Sequence, residues 1–174
     1  MNFFQFYEIP VSFTLDENAL KKKYYALSRQ YHPDFHTHEN ETEQEHILEM
    51  STLNTRAYKT LSDFDERVKY ILELKGLLKE SEKQEIPNAF LMEMMDINES
   101  VMDLQMDFDL EKYKQTSNEV REMQNNLFAE VKPFLETYND ATFVEDDLKK
   151  IKDFYLKKRY ILRLEKNLSI FAPL

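Results

Sequence analysis

Few side chains in this sequence are suited to chemistry, and most of them gather in one stretch. Residues 31–34 read Tyr-His-Pro-Asp, so an imidazole and a carboxylate flank a proline, and three more histidines follow at 36, 38 and 46. His32 and His36 are four residues apart, the separation at which a helix presents two metal ligands on one face. A metal-dependent hydrolase drawing on His32, His36, His38 and His46 would use such a pair. Pro33 breaks the helix that the pair requires, and neither an HExxH pattern nor a glycine-rich phosphate loop occurs in the sequence. No catalytic residue, metal or cofactor is therefore expected. The other elementary reading is a helix stop, because proline drives the residue before it to extended dihedrals. That accounts for Pro33 and leaves His32 and Asp34 unexplained.

The elements that position these residues are helical. One glycine and five prolines in 174 residues leave few turns for an all-β chain, and 42% hydrophobic content supports a packed core, so an all-α fold is expected. A net charge of −10 repels nucleic acid and anionic membrane on average, and any basic site must be local. With no cysteine, disulfides, thiolate metal sites and thiol nucleophiles are excluded. The first ten residues lack the basic start of a signal peptide, and no apolar run is long enough to cross a bilayer. A cytoplasmic location without a membrane partner is expected.

A short helix over residues 2–8 precedes an amphipathic one from Asp16 to Tyr31, with Leu20, Tyr24, Leu27 and Tyr31 on one face. Thr14, through a capping box with Glu17, or Asp16 could cap its start. At about 100° per residue, Lys22, Tyr25 and Arg29 project from the opposite face with Lys21 at its margin, a basic ridge on an acidic chain. A polar loop over 36–44 leads to a helix carrying Ile47, Met50, Leu53, Ala57 and Leu61. Ser62 or Asp63 then caps a short helix with Phe64, Val68, Ile71 and Leu72, and Gly76 falls where a left-handed residue ends a helix. The charged stretch 77–88 reads as a linker. Three longer helices follow, over about 88–106, 109–138 and 144–168, with Leu110, Tyr113, Val120, Leu127, Val131 and Phe134 as a bundle seam and Pro133 as a kink or restart.

The elements FYEIP, a basic second helix, YHPD and LNTRAYKTLSDFDERVKYIL together resemble the J domain of DnaJ-type co-chaperones over residues 1–76. The tripeptide alone is a weak signal; its place between a basic amphipathic helix and a helix bearing Asn54, Ala57, Tyr58 and Leu61 makes it specific. The resemblance implies an antiparallel helical hairpin with the tripeptide at its tip, docking on the nucleotide-binding domain of a DnaK/HscA-type chaperone and accelerating its ATP hydrolysis. Chaperone binding then falls to Lys21, Lys22, Tyr25, Arg29, His32, Pro33 and Asp34. Asp34 suits a bidentate pair with a partner arginine, Pro33 cuts the freedom lost on docking, and the basic ridge suits an acidic patch. Asn54, Tyr58 and Arg67 are read as braces of the hairpin.

In the helix NAFLMEMMDINESVMDLQMD, Phe90, Met94, Ile97, Val101 and Leu104 alternate by four and three and make one packing seam. Leu91, Met92, Met95, Met102 and Met106 form a second apolar set among Asp96, Glu99 and Asp103, and composition alone leaves core packing and a partner surface both open. AFLMEMMDINE resembles the HscB family, in which a J domain precedes a three-helix bundle that holds the iron-sulfur scaffold IscU. The resemblance covers nearly the whole chain and implies a third region, the bundle over residues 89–174. It also implies scaffold binding by Leu91, Met92, Met95, Asp96, Glu99 and Asp103, with Tyr160 of KRYILRL as an aromatic contact. Met95 and Asp96 stand where the family more often has leucine and glutamate. The competing binding function is a general J-protein that delivers other unfolded clients to DnaK.

Overall fold

The computed structural model describes residues 1–79 and 85–171, which fold as two compact units. The first holds Met1–Leu74 with Tyr138–Thr142, and the second holds the described residues of Lys75–Thr137 and Phe143–Leu174. Tyr138–Thr142, which sequence reading put with the bundle, thus cluster with the first unit, where Tyr138 meets the Phe13 ring edge-on with centroids 4.8 Å apart. Residues 80–84 of the expected linker lie outside the described residues. Of the remainder, Leu78 is buried and Ile86 packs against the core of the second unit. The charged composition of the stretch concealed these two apolar anchors.

The first unit comprises α1 (Phe3–Phe6), α2 (Glu17–Gln30), a single 3-10 turn (Pro33–Phe35), α3 (Glu41–Ser62) and α4 (Phe64–Leu74). α1 is shorter than expected, and a reciprocal box fixes its start: Asn2 Oδ1 accepts from the Gln5 N–H at 2.8 Å and Gln5 Oε1 from the Asn2 N–H at 2.9 Å. Asp16 rather than Thr14 caps α2, accepting from the Asn18 and Ala19 amides. Asp63 accepts from the Glu66 N–H and starts α4, and Gly76, at φ +71°, lies just past its end.

α2 and α3 form an antiparallel hairpin. Tyr24 stacks on Tyr58 with centroids 4.2 Å apart, and Asn54 Nδ2 donates to Ser28 Oγ at 2.9 Å and to the Tyr24 carbonyl at 3.1 Å. Four residues forward on α2 correspond to four backward on α3, which fixes both direction and register. Asn54 also joins α1 to the pair, because the Tyr7 hydroxyl donates to its Oδ1 at 2.8 Å and lies 3.0 Å from its carbonyl oxygen. The buried Arg67 Nε donates to the Phe13 carbonyl at 3.0 Å and Nη1 donates to that of Leu61. Burial pushes the Arg67 pKa down, against the raising influence of Glu17 and Asp63. Both residues brace the hairpin from inside.

The second unit comprises α5 (Asn88–Met106), α6 (Leu110–Thr137) and α7 (Glu145–Ser169), each packed on the other two. Phe90, Met94, Ile97, Val101 and Leu104 of α5 are all buried and meet Val120 of α6 and Ile161, Leu164 and Leu168 of α7. Each such side chain removed from water stabilises the unit by about 1.5–3 kcal/mol. α6 continues through Pro133 to Thr137, whose hydroxyl donates to the Pro133 carbonyl at 2.7 Å, so of the kink or restart expected there the restart does not occur. Leu110, assigned to the seam by sequence, is exposed as the first residue of its helix. Among the described residues there is no strand, and no helix is long and apolar enough to cross a membrane.

Candidate functional site

Two surfaces hold the residues singled out by sequence, one on each unit. The first is the turn between α2 and α3. His32 leaves the helix at φ −74°, ψ 121°, the extended backbone that a following proline demands. It then caps a 3-10 turn rather than opening an irregular loop: its Nδ1 accepts from the Asp34 N–H at 3.3 Å. A neutral ring that accepts at Nδ1 carries its proton on Nε2. The Asp34 carboxylate is 84% exposed, and Oδ2 lies 3.8 Å from His32 Nδ1. Phe35 follows with its ring 5.4 Å from that of His32 and largely in solvent.

The turn is tied to its supports. His36 Nε2 lies 2.8 Å from the carbonyl oxygen of Gln30, the last residue of α2, and so closes the turn across six residues. Gln44 Nε2 donates to the Thr37 and Glu39 carbonyls at 3.3 and 2.9 Å, fastening the next stretch to α3. On α2, Lys21, Lys22, Tyr25 and Arg29 are all exposed, and Lys21 and Lys22 form one ridge with Arg29. Lys23, third in the lysine run, is turned away from it: its ammonium donates to the Tyr7 carbonyl at 2.5 Å. The structure thus brings all seven proposed chaperone-facing residues onto one helix face and the turn that ends it.

The second surface is the outward face of α5. Met94 is fully buried in the bundle, whereas its neighbours Met92 and Met95 are 69% and 64% exposed, with Leu91 exposed beside them. Asp96, Glu99 and Asp103 are exposed on the same side, and Asp103 is paired with Lys112 of α6. Tyr160 arrives from α7 half-buried: its ring meets Phe90 edge-on at 5.7 Å, and its hydroxyl accepts from Asn98 Nδ2 at 2.8 Å. The aromatic is therefore anchored to the core of the bundle and to α5. Met102 and Met106, on that face in sequence but outside the expected contact set, are also exposed. Their four-residue spacing could have included them; the clamp at His36 has no counterpart signal, since it depends on where the loop returns.

The four histidines are not assembled into a centre. Among the described residues no three His, Asp or Glu side chains are placed to hold a metal ion.

Comparison with known proteins places the chain in a family. The DnaJ domain family matches residues 3–70, and the family described as the HSCB C-terminal oligomerisation domain matches residues 86–169. The co-chaperone protein HscB homolog of Neisseria meningitidis serogroup A is 31% identical over 131 residues, which span 75% of this chain and 79% of that protein. The chain belongs to the HscB family of J-type co-chaperones. The mouse (Mus musculus) iron-sulfur cluster co-chaperone protein HscB is 32% identical over 160 residues, covering 91% of this chain and 64% of the mouse protein. The crystal structure of human co-chaperone protein HscB superposes with a TM-score of 0.75 at 29% identity, covering 98% of this chain and 81% of that one. Chaperone HscB from Vibrio cholerae, at 23% identity and a TM-score of 0.71, covers 97% and 96% of the two chains and shares the fold. This chain is thus all-α, with a J domain and a helical second domain, a fold it shares with both HscB structures over the matched lengths.

Proposed function

We propose that this chain is an adaptor in iron-sulfur cluster assembly that grips an IscU-type scaffold and presents it to an HscA/DnaK-type ATPase. Residues 1–76 act as the J domain and 89–174 as the scaffold-binding bundle, joined through 77–88. Lys21, Lys22, Tyr25 and Arg29 draw in the ATPase, while His32, Pro33 and Asp34 engage it and accelerate its hydrolysis of ATP. Leu91, Met92, Met95, Asp96, Glu99 and Asp103, with Tyr160, hold the scaffold. No residue of this chain performs chemistry; the ATP is the partner's.

The observation that carries this reading is the division of α5, where Met94 is sealed in the core and Met92 and Met95 stand in solvent among carboxylates. A soluble bundle exposing so many flexible thioethers on one face has a surface adapted to a partner. The exposed Asp34 carboxylate, held by a capped turn, supports the second half of the reading. The names of the mouse and human relatives supply the iron-sulfur context.

The test is single-turnover ATP hydrolysis by the organism's own HscA/DnaK-type chaperone, alongside titration calorimetry against its IscU-type protein. Asp34→Asn should abolish stimulation, and alanine at Leu91, Met92 and Met95 together should weaken scaffold binding, both with unchanged helical circular dichroism. Full stimulation by Asp34→Asn, or unaltered affinity in the triple variant, removes the corresponding half of the reading. Capture of many unrelated unfolded chains in place of one scaffold would favour a general J-protein.

A further inference from the structure

Beside the turn lies a groove of about 420 Å³, and of the residues lining it only Pro33 and Asp34 have a binding role above. Its floor is Ile47 with Leu48 at the lip, its near wall is Pro33 and Asp34, and its far side is the first two turns of α3. Glu41, Glu45 and Leu48 follow at spacings of four and three, so they form one stripe along α3. Ile47 is buried, whereas Leu48 is 60% exposed. The rim therefore offers three carboxylates, Asp34, Glu41 and Glu45, over an apolar base, and no lysine or arginine lines it. The walls are pre-formed: the ring of His36, itself a lining residue, is tied to the Gln30 carbonyl, and Gln44 ties the loop to α3.

We propose that this groove receives a short basic-apolar segment of the same ATPase that meets Asp34, and that it selects which ATPase the J domain serves. Two observations commit it to that occupant. The groove is continuous with the docking turn, since Pro33 and Asp34 line both. Its charge is also opposite to that of the α2 ridge, so a partner fitting both must carry an acidic patch facing α2 and a basic, apolar-centred segment facing α3. An apolar side chain seats on Ile47 and Leu48 while lysine or arginine side chains beside it meet Glu41 and Glu45. Such a two-signed surface discriminates between related ATPases better than a single-signed one, because a wrong partner meets like charge at one of the two places. The tied walls lower the ordering cost of binding.

The proposal rests on the docking reading, and the experiment separates their failures. Full-length wild type, Glu41→Lys/Glu45→Lys, Leu48→Ala and Asp34→Asn are titrated into the organism's HscA-type chaperone and, separately, its general DnaK, and stimulated hydrolysis is followed. The double reversal is expected to raise the half-maximal concentration for the preferred ATPase by roughly tenfold or more while leaving the maximal rate unchanged, and to narrow the preference between the two ATPases. Leu48→Ala should give a smaller shift in the same direction. Helical circular dichroism checks that each variant is folded, and Glu41→Gln/Glu45→Gln serves as a milder second pair. If Asp34→Asn abolishes stimulation but the groove variants titrate like wild type, or bind more tightly, the groove proposal is overturned and the docking reading stands. If Asp34→Asn stimulates fully, the docking reading falls and takes the groove with it.

Discussion

Asn54 is the residue whose replacement best separates bracing from recognition. Its side chain is buried and bridges three helices, accepting from Tyr7 and donating to Tyr24 and Ser28. Asn54→Ala removes all three hydrogen bonds, each contributing about 1 kcal/mol net. Part of the loss is offset, because the Tyr7 hydroxyl keeps the backbone carbonyl of residue 54 within reach at 3.0 Å. A cavity the size of an amide adds to the cost. The expected destabilisation of the first unit is about 2–3 kcal/mol. With an m-value of about 1–2 kcal/mol per molar urea for a unit of this size, the midpoint should fall by about 1–3 M. The assay follows amide cross-peaks of α2 and α3 residues through a urea titration of the full chain. A midpoint shift below about 0.3 M would refute the bridging argument. Because Asn54 faces no partner, the variant should stimulate the ATPase normally without urea; loss of stimulation while folded would show that Asn54 is a contact.

Four further outcomes are expected. Met94→Ala should cost the bundle about 2–5 kcal/mol, whereas Met95→Ala should stay within about 0.5 kcal/mol of wild type, both read from thermal unfolding; equal effects would mean that α5 is turned differently. Gly76→Ala should lower stability by about 1 kcal/mol from backbone strain alone, since its φ is +71° and a Cβ there would meet nothing within 4 Å. Burial raises the pKa values of Tyr7 and Tyr70, so below the unfolded value of 10.0 their contribution to stability is fully present and independent of pH, and as pH climbs above it that contribution is progressively lost. Tyr7→Phe should make that alkaline decline shallower in pH-dependent unfolding. Raising salt should increase the half-maximal concentration for ATPase stimulation, since the charges proposed to draw in the ATPase, on Lys21, Lys22 and Arg29, are solvent-exposed; a salt-independent titration would remove the ridge from the encounter.

The sequence by itself determined the order of the longer helices and the inward face of α5. The alternation of Phe90, Met94, Ile97, Val101 and Leu104 is a local, periodic property of one helix, and all five are buried. The break at His32, the start of α4 at Asp63 and the positive φ at Gly76 follow equally from short-range backbone chemistry. Tertiary structure decided what depends on segments distant in the chain. It chose Lys23 from three lysines to reach the Tyr7 carbonyl, gave Tyr160 its partner in Asn98, and set Asp103 against Lys112. It also buried Leu78 within a charged stretch and folded the 36–40 loop back so that a groove opens beside Asp34. Periodicity reports which side of a helix avoids water, but not which side chain of another segment will come within hydrogen-bonding distance, because that is settled only when non-local packing fixes register between elements.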